Sequence, residues 1–153
     1  MPNTYTQIHI QTVFAVQNRQ SLIRGRWRAE LNKYITGIIQ NNNHKVLQIN
    51  GMADHIHILF GMRPTQSLSE LMKQVKQDSS KWINNKGLVN GRFSWQSGYG
   101  AFSYSKSEIP VIINYIKNQE EHHKQVAFQD EYLKLLQDFD VKYDERYILK
   151  PVL

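Results

Sequence analysis

The chain has 153 residues, of which 41% are apolar, 11% aromatic and 21% charged, and its formal net charge is +6. That length fits a single domain, and the absence of cysteine excludes zinc ribbons, iron–sulfur clusters, disulfide scaffolds and thiol nucleophiles. No apolar run approaches the roughly 18 residues of a membrane-spanning helix and no leader pattern is visible, so we expect a soluble, cytoplasmic protein.

Apolar patterns define the elements of the first half of the chain. Residues 5–15 alternate apolar and polar side chains, which predicts a strand with one buried face. Residues 26–40 repeat apolar side chains at helical spacing and predict a helix that ends in three consecutive asparagines. Two short apolar runs, 45–50 and 55–62, then predict a hairpin.

The second half predicts another helix, further strand and a third helix. Ser67 and Glu70 have the spacing of a capping box at the start of the second helix. Residues 92–95 and 101–104 predict strand on either side of a turn-prone segment, and a third helix begins near Ser107.

This order of elements predicts the fold class. Strand, helix, strand, strand, helix, strand, helix is a split β-α-β plan, which gives an α+β, ferredoxin-like (RRM-like) four-stranded antiparallel sheet with helices on one face. After the third helix, one or two amphipathic turns and an extended acidic-aromatic segment, 140–148, predict a C-terminal appendage. We therefore expect residues 1–128 to form the main domain and residues 129–153 a helical or extended tail that belongs to the same domain or to a dimer.

A His-x-His pair opens the second strand of the predicted hairpin. Because side chains alternate along a strand, His55 and His57 lie on one face, about 6.5–7 Å apart along the strand. Two neutral imidazoles in this position can converge on one divalent ion. The same spacing also fits two histidines that are hydrogen-bonded or face solvent, so other residues must decide between the two interpretations.

The third helix places a tyrosine and a glutamine on one face. Tyr115 and Gln119 are four residues apart, about one helical turn. A glutamine carbonyl would complete a site with two histidines, and three neutral ligands leave a divalent ion its full charge and open positions for a phosphate. A phenol beside that ion can act as a nucleophile and form a covalent phosphotyrosine. Taken alone, Tyr115 also fits a core aromatic of an amphipathic helix.

Four motifs together resemble a known family. They lie in family order and spacing between about Ile8 and His123, and they lead us to the single-tyrosine HUH transposases of the insertion-sequence two-hundred type, in which U is a hydrophobic residue. The motifs are Asp54-His55-Ile56-His57-Ile58-Leu59, the helix from Ser67-Leu68-Ser69 through Lys76 to Ser79-Ser80-Lys81-Trp82, the loop Trp95-Gln96-Ser97-Gly98-Tyr99-Gly100, and Tyr115-Ile116-x-x-Gln119.

The resemblance implies a reaction and its residues. His55, His57 and Gln119 would bind Mg²⁺ or Mn²⁺, and Tyr115 would attack a phosphate of single-stranded DNA at hairpin-bearing element ends. The products would be a 5′-phosphotyrosine and a free 3′-hydroxyl. One phosphodiester replaces another, so rejoining needs no ATP, and the sequence has no Gly-rich phosphate loop for a nucleotide cofactor.

The resemblance also implies an assembly. Members of the family work as homodimers in which the tyrosine helix of one subunit can complete the metal site of the other. In this chain the turn-rich stretch before Ser107 and the amphipathic residues after Phe128 are compatible with such an exchange.

The basic surplus lies in the first two thirds of the chain, where residues 1–100 carry a net charge of +8 and residues 101–153 carry −2. A basic domain favours a polyanionic partner because binding releases counterions from a phosphate backbone. Six basic residues are candidates for contacts with DNA, and we expect about half of them to be ordinary surface charge. The candidates for phosphate contacts to a DNA hairpin are Arg19, Arg24, Arg26, Arg28, Lys76 and Lys81.

Three residues near the motifs have weaker interpretations. Asp54 points to the opposite face from His55 in an ideal strand, so it either supports a histidine from behind or forms the turn. His122 and His123 could contact the ion, but they end a Lys- and Glu-rich helix, which favours a solvated surface.

Other functions remain compatible with the sequence. A catalytically idle ferredoxin-like module could hold DNA or RNA hairpins, although binding alone requires neither Tyr115 nor Gln119. The same chemistry could serve a host-domesticated protein or a replication initiator, but initiators often carry a second tyrosine where this chain has Asn118 and His122. An acidic-triad recombinase is disfavoured because the first 100 residues contain only four carboxylates.

Overall fold

The computed structural model of the protein describes residues 3–123 and 126–144. Short 3-10 turns cover Gln17–Arg19 and Lys106–Glu108. The strands and helices, in chain order, are β1 (His9–Ala15), α1 (Gly25–Asn41), β2 (Lys45–Gly51), β3 (His55–Gly61), α2 (Leu68–Asn85), β4 (Gly100–Tyr104), α3 (Ile109–Lys117), α4 (Gln119–His122) and α5 (Phe128–Asp138).

The four strands form one antiparallel sheet in the order β2-β3-β1-β4. This order, with α1 between β1 and β2 and α2 between β3 and β4, is that of the ferredoxin-like fold, so the predicted fold class is confirmed. The register places His57 between Val13 of β1 and Asn50 of β2. The His-x-His pair therefore lies on a central strand, which is hydrogen-bonded on both sides.

One face of the sheet, which we call the apolar face, carries α1 and α2. Ile56, Ile58 and Phe60 of β3 point to it, and none is more than 1% exposed. The Ser67 hydroxyl starts α2 by accepting a hydrogen bond from the Glu70 amide at 3.1 Å, which is the N-cap half of the predicted capping box. The helical side chains buried on this face are Trp27, Leu31, Ile35, Ile38, Ile39, Leu71, Met72, Val75 and Ile83.

The opposite face, which we call the site face, lies under the C-terminal helices. Phe128, Tyr132 and Leu136 of α5 pack against Val13, Ala15 and Phe102 of the sheet. Gly100 permits this close approach, since a Cβ there would lie 2.7 Å from the Tyr132 ring. The prediction that the first strand has one buried face was wrong over 11–15, because α5 covers the second face as well.

The strand predicted for Arg92 to Trp95 does not form. The Asn84 side chain at the end of α2 accepts from the Phe93 amide at 2.7 Å and donates to the Phe93 carbonyl at 2.9 Å. These are the backbone groups that a strand would pair with a neighbour. Trp95 keeps a single bridge to Val16, and Phe93 is buried in the core of the apolar face.

The third predicted helix is interrupted. It ends at Lys117, and Asn118 has φ −97° and ψ 23° before α4 begins. The Asn50 side chain on β2 donates to the carbonyls of Ile116 and Lys117 at 3.1 and 3.2 Å, and so caps the end of α3. The amphipathic turns predicted near Tyr132 and Leu136 form α5, and residues 145–148 of the predicted tail lie outside the described residues.

Within 3–123 and 126–144, no helix combines the length and the apolar character that crossing a membrane demands.

Candidate active site

The two histidines of β3 are held from behind. His55 and His57 are 1% and 0% exposed, and both point to the site face, as period-two geometry predicts. His55 Nδ1 lies 2.8 Å from Asp54 Oδ1, and His57 Nδ1 lies 2.9 Å from Gln11 Nε2. These contacts fix both rings and direct both Nε2 atoms into one space above the sheet. Asp54 therefore supports a histidine, one of the two roles that the sequence allowed.

The environment of His55 favours its neutral form. The pKa of His55 lies below its ordinary value because burial disfavours the charged ring more than the hydrogen bond to Asp54 favours it. Burial raises the pKa of Asp54, but His55, a backbone hydrogen bond and the charge of His123 together hold that pKa below its ordinary value. A carboxylate paired with a neutral imidazole is the arrangement that orients histidine ligands of metals.

Tyr104 on β4 makes a hydrogen bond to Gln11, the residue that contacts His57. The Tyr104 hydroxyl donates to Gln11 Oε1 at 2.7 Å, which leaves the Gln11 amide nitrogen to donate to His57 Nδ1. The His57 proton then lies on Nε2 and points away from the sheet. Burial, together with the charges of Glu108 and Asp138, raises the pKa of Tyr104 to about 12. Tyr104 therefore stays a hydrogen-bond donor at any physiological pH.

Gln119 enters the same space from α4 and is fully buried. Its Oε1 lies 3.4 Å from His55 Nε2 and 2.9 Å from His123 Nε2. The three side chains predicted to bind a metal, His55, His57 and Gln119, are therefore brought together, although the helix that connects Tyr115 to Gln119 is interrupted between them.

Tyr115 lies beside the pair of histidines of its own chain. Its ring centroid is 5.8 Å from that of His57, and its hydroxyl donates a hydrogen bond to Glu131 Oε2. Burial, the negative charge of Glu131 and that hydrogen bond hold the pKa of the phenol far above its ordinary value. The geometry needs no second chain to place this hydroxyl next to the candidate metal site, and the hydroxyl is protonated in this arrangement.

At the centre of the site is a carboxylate that the sequence did not predict. Glu131 on α5 is 4% exposed, and its Oε1 lies 3.0 Å from His57 Nε2 and 3.2 Å from His123 Nε2. Burial raises its pKa, but the hydrogen bonds from His123, His57 and Tyr115 and the charge of His57 together hold the pKa far below its ordinary value. The site therefore contains a buried anion in contact with imidazoles.

The sequence offered one signal for Glu131. It follows Phe128 by three positions and precedes Leu135 by four, so it falls on the apolar side of the helical pattern rather than on the polar side. A charged residue on the apolar side of a helix is either buried beside a polar partner or exposed because the helix is not covered there. Glu131 is buried beside such partners.

The expectation of a solvated surface at His122 and His123 was wrong for His123. Its side chain is 8% exposed, its Nδ1 contacts the Val126 carbonyl at 2.8 Å and its Nε2 faces Gln119 and Glu131. Burial lowers the pKa of His123, but the hydrogen bond and the charge of Glu131 raise it by more. His122 is partly exposed, and its Nε2 lies 3.1 Å from Glu131 Oε2 at an angle that makes no hydrogen bond.

The donor set fits a divalent cation. His55, His57, His123 and Glu131 each offer one ligand atom, and these atoms all lie within 4.8 Å of one another. The carbonyl oxygen of Gln119 adjoins them. Imidazole nitrogens with carboxylate and amide oxygens are suitable ligands for first-row divalent metals. An ion held here would face the Tyr115 hydroxyl.

The six basic residues predicted to contact DNA differ in their surroundings. Arg24 just before α1, Arg26 on α1 and Lys81 on α2 are exposed. Arg28 donates to the Ile23 carbonyl at 3.0 Å, and Lys76 donates to the carbonyls of Gln96 and Gly98 at 2.7 Å each. Those two cations therefore hold loops of their own chain. Arg19 is half-buried in a 3-10 turn with φ 52°.

Comparison with known proteins gives consistent results. The family model described as "Transposase IS200 like" matches residues 4–119. The transposase for insertion sequence element IS200 of Salmonella typhimurium is 29% identical over 117 residues, covering 73% of this chain and 76% of that protein. A crystal structure of a putative transposase from Deinococcus radiodurans superposes with a TM-score of 0.61 at 19% identity, covering 76% of this chain and 94% of that one.

A second solved structure shows the same fold. It is described as the REP associates tyrosine transposase bound to a REP hairpin, and it superposes with a TM-score of 0.60 at 13% identity. The superposition covers 81% of this chain and 73% of that one. The candidate site described above, apart from α5, lies within or next to the residues that the family model matches.

Proposed function

The chain belongs to the IS200-like transposase family, and from this premise we propose that it cuts and rejoins single-stranded DNA at hairpin-bearing element ends through a covalent bond to Tyr115. The observation that carries the proposal is the position of the Tyr115 hydroxyl, which meets the same buried carboxylate as His57. A nucleophile, a metal site and a group that orients the nucleophile are thus adjacent.

The proposed reaction is a transesterification. The Tyr115 oxygen attacks the scissile phosphorus, the new bond joins that oxygen to phosphorus, and the bond from phosphorus to the 3′ oxygen breaks. The phenol loses its proton and the departing 3′ oxygen gains one. The products are a 5′-phosphotyrosine and a free 3′-hydroxyl, and attack by a 3′-hydroxyl on the phosphotyrosine reverses the step. No bond energy is lost between the two phosphodiesters, so no nucleotide cofactor is required.

The roles of the other residues follow from their contacts. His55, His57 and Gln119 would hold Mg²⁺ or Mn²⁺, and a bound ion would polarise the phosphate and stabilise the charge that develops on it. Asp54 and Gln11 hold the two imidazoles in fixed orientations. Glu131 holds the Tyr115 hydroxyl toward the site. The raised pKa of Tyr115 means that the phenol must lose its proton during attack rather than before it.

We further propose that the partner is a DNA hairpin adjoining the cleaved single strand. A structural relative is described as bound to a REP hairpin, and the first 100 residues of this chain carry a net charge of +8. Among the candidate contacts, Arg24, Arg26 and Lys81 are exposed and available to phosphates, whereas Arg28 and Lys76 are engaged in contacts within the chain. A homodimer that exchanges its tyrosine helices stays a prediction, and sedimentation of the DNA-bound chain at micromolar concentration tests it.

Covalent capture tests the function. An oligonucleotide with a hairpin from the flanking genome is labelled at its 3′ end and incubated with the chain and Mn²⁺. We expect a protein–DNA adduct that survives denaturation, while the same strand labelled at its 5′ end yields a shorter free fragment. Tyr115→Phe and chelation of the ion should each reduce the adduct by more than about a thousandfold.

The matched control for this variant is Tyr5→Phe, because Tyr5 is 89% exposed and removal of its hydroxyl touches none of the site. We expect the control to form as much adduct as the unmodified chain. Adduct formation by Tyr115→Phe at the unmodified rate would exclude Tyr115 as the nucleophile. Tight hairpin binding without any adduct from the unmodified chain would favour the idle hairpin-binding module instead.

A further inference from the structure

We propose that Glu131 is an anionic ligand of the metal site, supplied by a helix that lies outside the residues matched by the family model. The inference deepens the proposed function, since it concerns the metal centre on which that function rests. The matched residues end at 119, whereas Glu131 lies on α5 (Phe128–Asp138).

The first argument is burial. A carboxylate that is only 4% exposed loses most of its hydration, which costs several kcal/mol unless other groups replace the water. The docking of α5 does not require this cost, because Phe128, Tyr132 and Leu136 already form an apolar contact with the sheet. A carboxylate at this position therefore has a role beyond holding the helix in place.

The second argument is distance. Glu131 Oε1 lies 3.0 Å from His57 Nε2, 3.2 Å from His123 Nε2 and 3.9 Å from His55 Nε2. Neighbouring ligand atoms on one ion, with bonds of about 2.0–2.2 Å, are separated by about 3.0–3.6 Å. The distances between the carboxylate oxygen and these nitrogens are thus close to those between ligand atoms bound to one ion.

The third argument is orientation. Each ring of the His-x-His pair has its Nδ1 engaged from behind, by Asp54 for His55 and by Gln11 for His57. Only the Nε2 atoms remain to face the carboxylate. In the arrangement without an ion, Glu131 Oε1 accepts the proton of His57 Nε2, whereas the neutral His55 directs its proton from Nδ1 to Asp54 and has an unprotonated Nε2. A cation binds the unprotonated nitrogen of a neutral imidazole, so the ion would take the place of the His57 Nε2 proton. That proton would move to Nδ1, where the Gln11 amide can accept it by turning its oxygen toward the ring.

The fourth argument is charge. The other candidate donors, His55, His57, His123 and Gln119, are neutral when they act as ligands. Among the described residues that meet at this point, Glu131 supplies the negative charge, which strengthens the affinity for a divalent cation. Its second oxygen remains on the Tyr115 hydroxyl, so one side chain connects the ion to the nucleophile.

The test measures binding of Mn²⁺ alone to the full chain, without DNA, by titration calorimetry and electron paramagnetic resonance. We expect one ion per chain. Glu131→Gln should weaken the affinity by more than about tenfold. Glu131→Asp keeps the negative charge but shortens the side chain by one methylene, and it should also weaken the affinity for Mn²⁺. A loss of affinity in this variant distinguishes a metal ligand from a remote charge.

The matched control is Asp130→Asn, which removes the same charge from the neighbouring, exposed position of α5. We expect its affinity for Mn²⁺ to stay within about twofold of the unmodified chain, because an exposed charge is screened by solvent and salt. A loss in the control equal to that in Glu131→Gln would mean that net charge, not ligation, sets the affinity, and it would overturn the proposal.

A measurement on the unmodified sequence covers the case in which the variants do not fold. The chain is labelled with ¹³C at the glutamate side-chain carboxyls and loaded with Mn²⁺, and electron–nuclear double resonance is recorded. A coupling typical of a metal-bound carboxylate supports the proposal, and its absence contradicts it.

The outcomes also separate this inference from the proposed function. If His57→Gln abolishes Mn²⁺ binding while Glu131→Gln binds as tightly as the unmodified chain, the inference fails and the metal site of the proposed function stands. If the unmodified chain binds no Mn²⁺ at all, both fail. The covalent adduct of Tyr115 is read independently of either result.

Discussion

Both faces of the sheet include side chains of β3, but apolar packing buries those on the apolar face and hydrogen bonds hold those on the site face. Ile56 and Ile58 point to the apolar face, where α1 and α2 bury them by contacts that have no preferred direction. His55 and His57 alternate with them and point to the site face, where directional contacts fix each ring. The neighbouring Asp54 fixes the ring of His55, and Gln11 and Glu131 from distant segments fix that of His57. The apolar face therefore carries the larger apolar core, whereas the site face combines a smaller apolar core with the polar side chains of the candidate site.

The apolar face should show the largest effect of a single substitution. Ile58→Ala removes buried methyl and methylene groups at the centre of the sheet, and we expect the free energy of unfolding to fall by about 2–5 kcal/mol. Urea denaturation measures this loss. Ile58→Val is the graded control, with an expected loss of about 0.5–1.5 kcal/mol.

The same variant tests how independent the two faces are. Under conditions in which Ile58→Ala remains folded, its affinity for Mn²⁺ should equal that of the unmodified chain, since Ile58 points to the face of the sheet opposite the candidate ligands. A parallel loss of stability and metal affinity would show that the two faces act as one unit, and the distinction drawn between them would not hold.

The second prediction concerns the site face. Asp54→Ala removes the carboxylate that orients His55, and we expect the affinity for Mn²⁺ to fall about 10- to 100-fold, equivalent to about 1.4–2.7 kcal/mol. The backbone carbonyl of Asp54, which accepts from the Val16 amide at 2.9 Å, is retained in the variant. The turn before β3 should therefore persist.

Calorimetric titration with Mn²⁺, together with urea denaturation in the absence of metal, separates the two effects of this variant. Asp130→Ala on the exposed side of α5 serves as the control for loss of one negative charge. Unchanged metal affinity in Asp54→Ala would mean that packing alone fixes His55, through its stacking at 3.8 Å between ring centroids on Phe128.

The two faces also differ in how far the sequence predicted them. The apolar face follows from local patterns: the helical stripes of α1 and α2, the cap at Ser67 and the alternation in β3 are all visible within a few residues. The period-two rule also placed His55 and His57 on one face. Where a pattern is local and repeated, the sequence alone was sufficient.

The centre of the site face could not be predicted in the same way. His57 and Glu131 are 74 residues apart and meet only because α5 folds back over the sheet. Their contact leaves no local pattern, and the sole signal was an acidic residue on the apolar side of a short helix. A tertiary contact of this kind also explains why the strand predicted for Arg92 to Trp95 does not form. The Asn84 side chain makes hydrogen bonds to the backbone amide and carbonyl of Phe93, so these groups cannot pair with another strand.

The smallest expected effect belongs to Tyr104, the outermost member of the chain of contacts behind His57. Tyr104→Phe removes the hydrogen bond to Gln11, and at neutral pH we expect a loss of about 0.5–1.5 kcal/mol in the free energy of unfolding. The effect should depend on pH in a defined direction. Burial and the charges of Glu108 and Asp138 raise the pKa of Tyr104 to about 12 in the folded chain, from 10.0 in the unfolded chain.

A raised pKa means that the folded state prefers the protonated phenol, so this contribution is complete below pH 10 and is lost as the pH rises toward about 12. The stability difference between the unmodified chain and Tyr104→Phe should therefore shrink over that interval, because phenylalanine does not titrate. Urea denaturation at a series of pH values measures it. If this difference in the free energy of unfolding stays constant or grows, the Tyr104 hydroxyl is in contact with solvent. Gln11 alone would then orient His57.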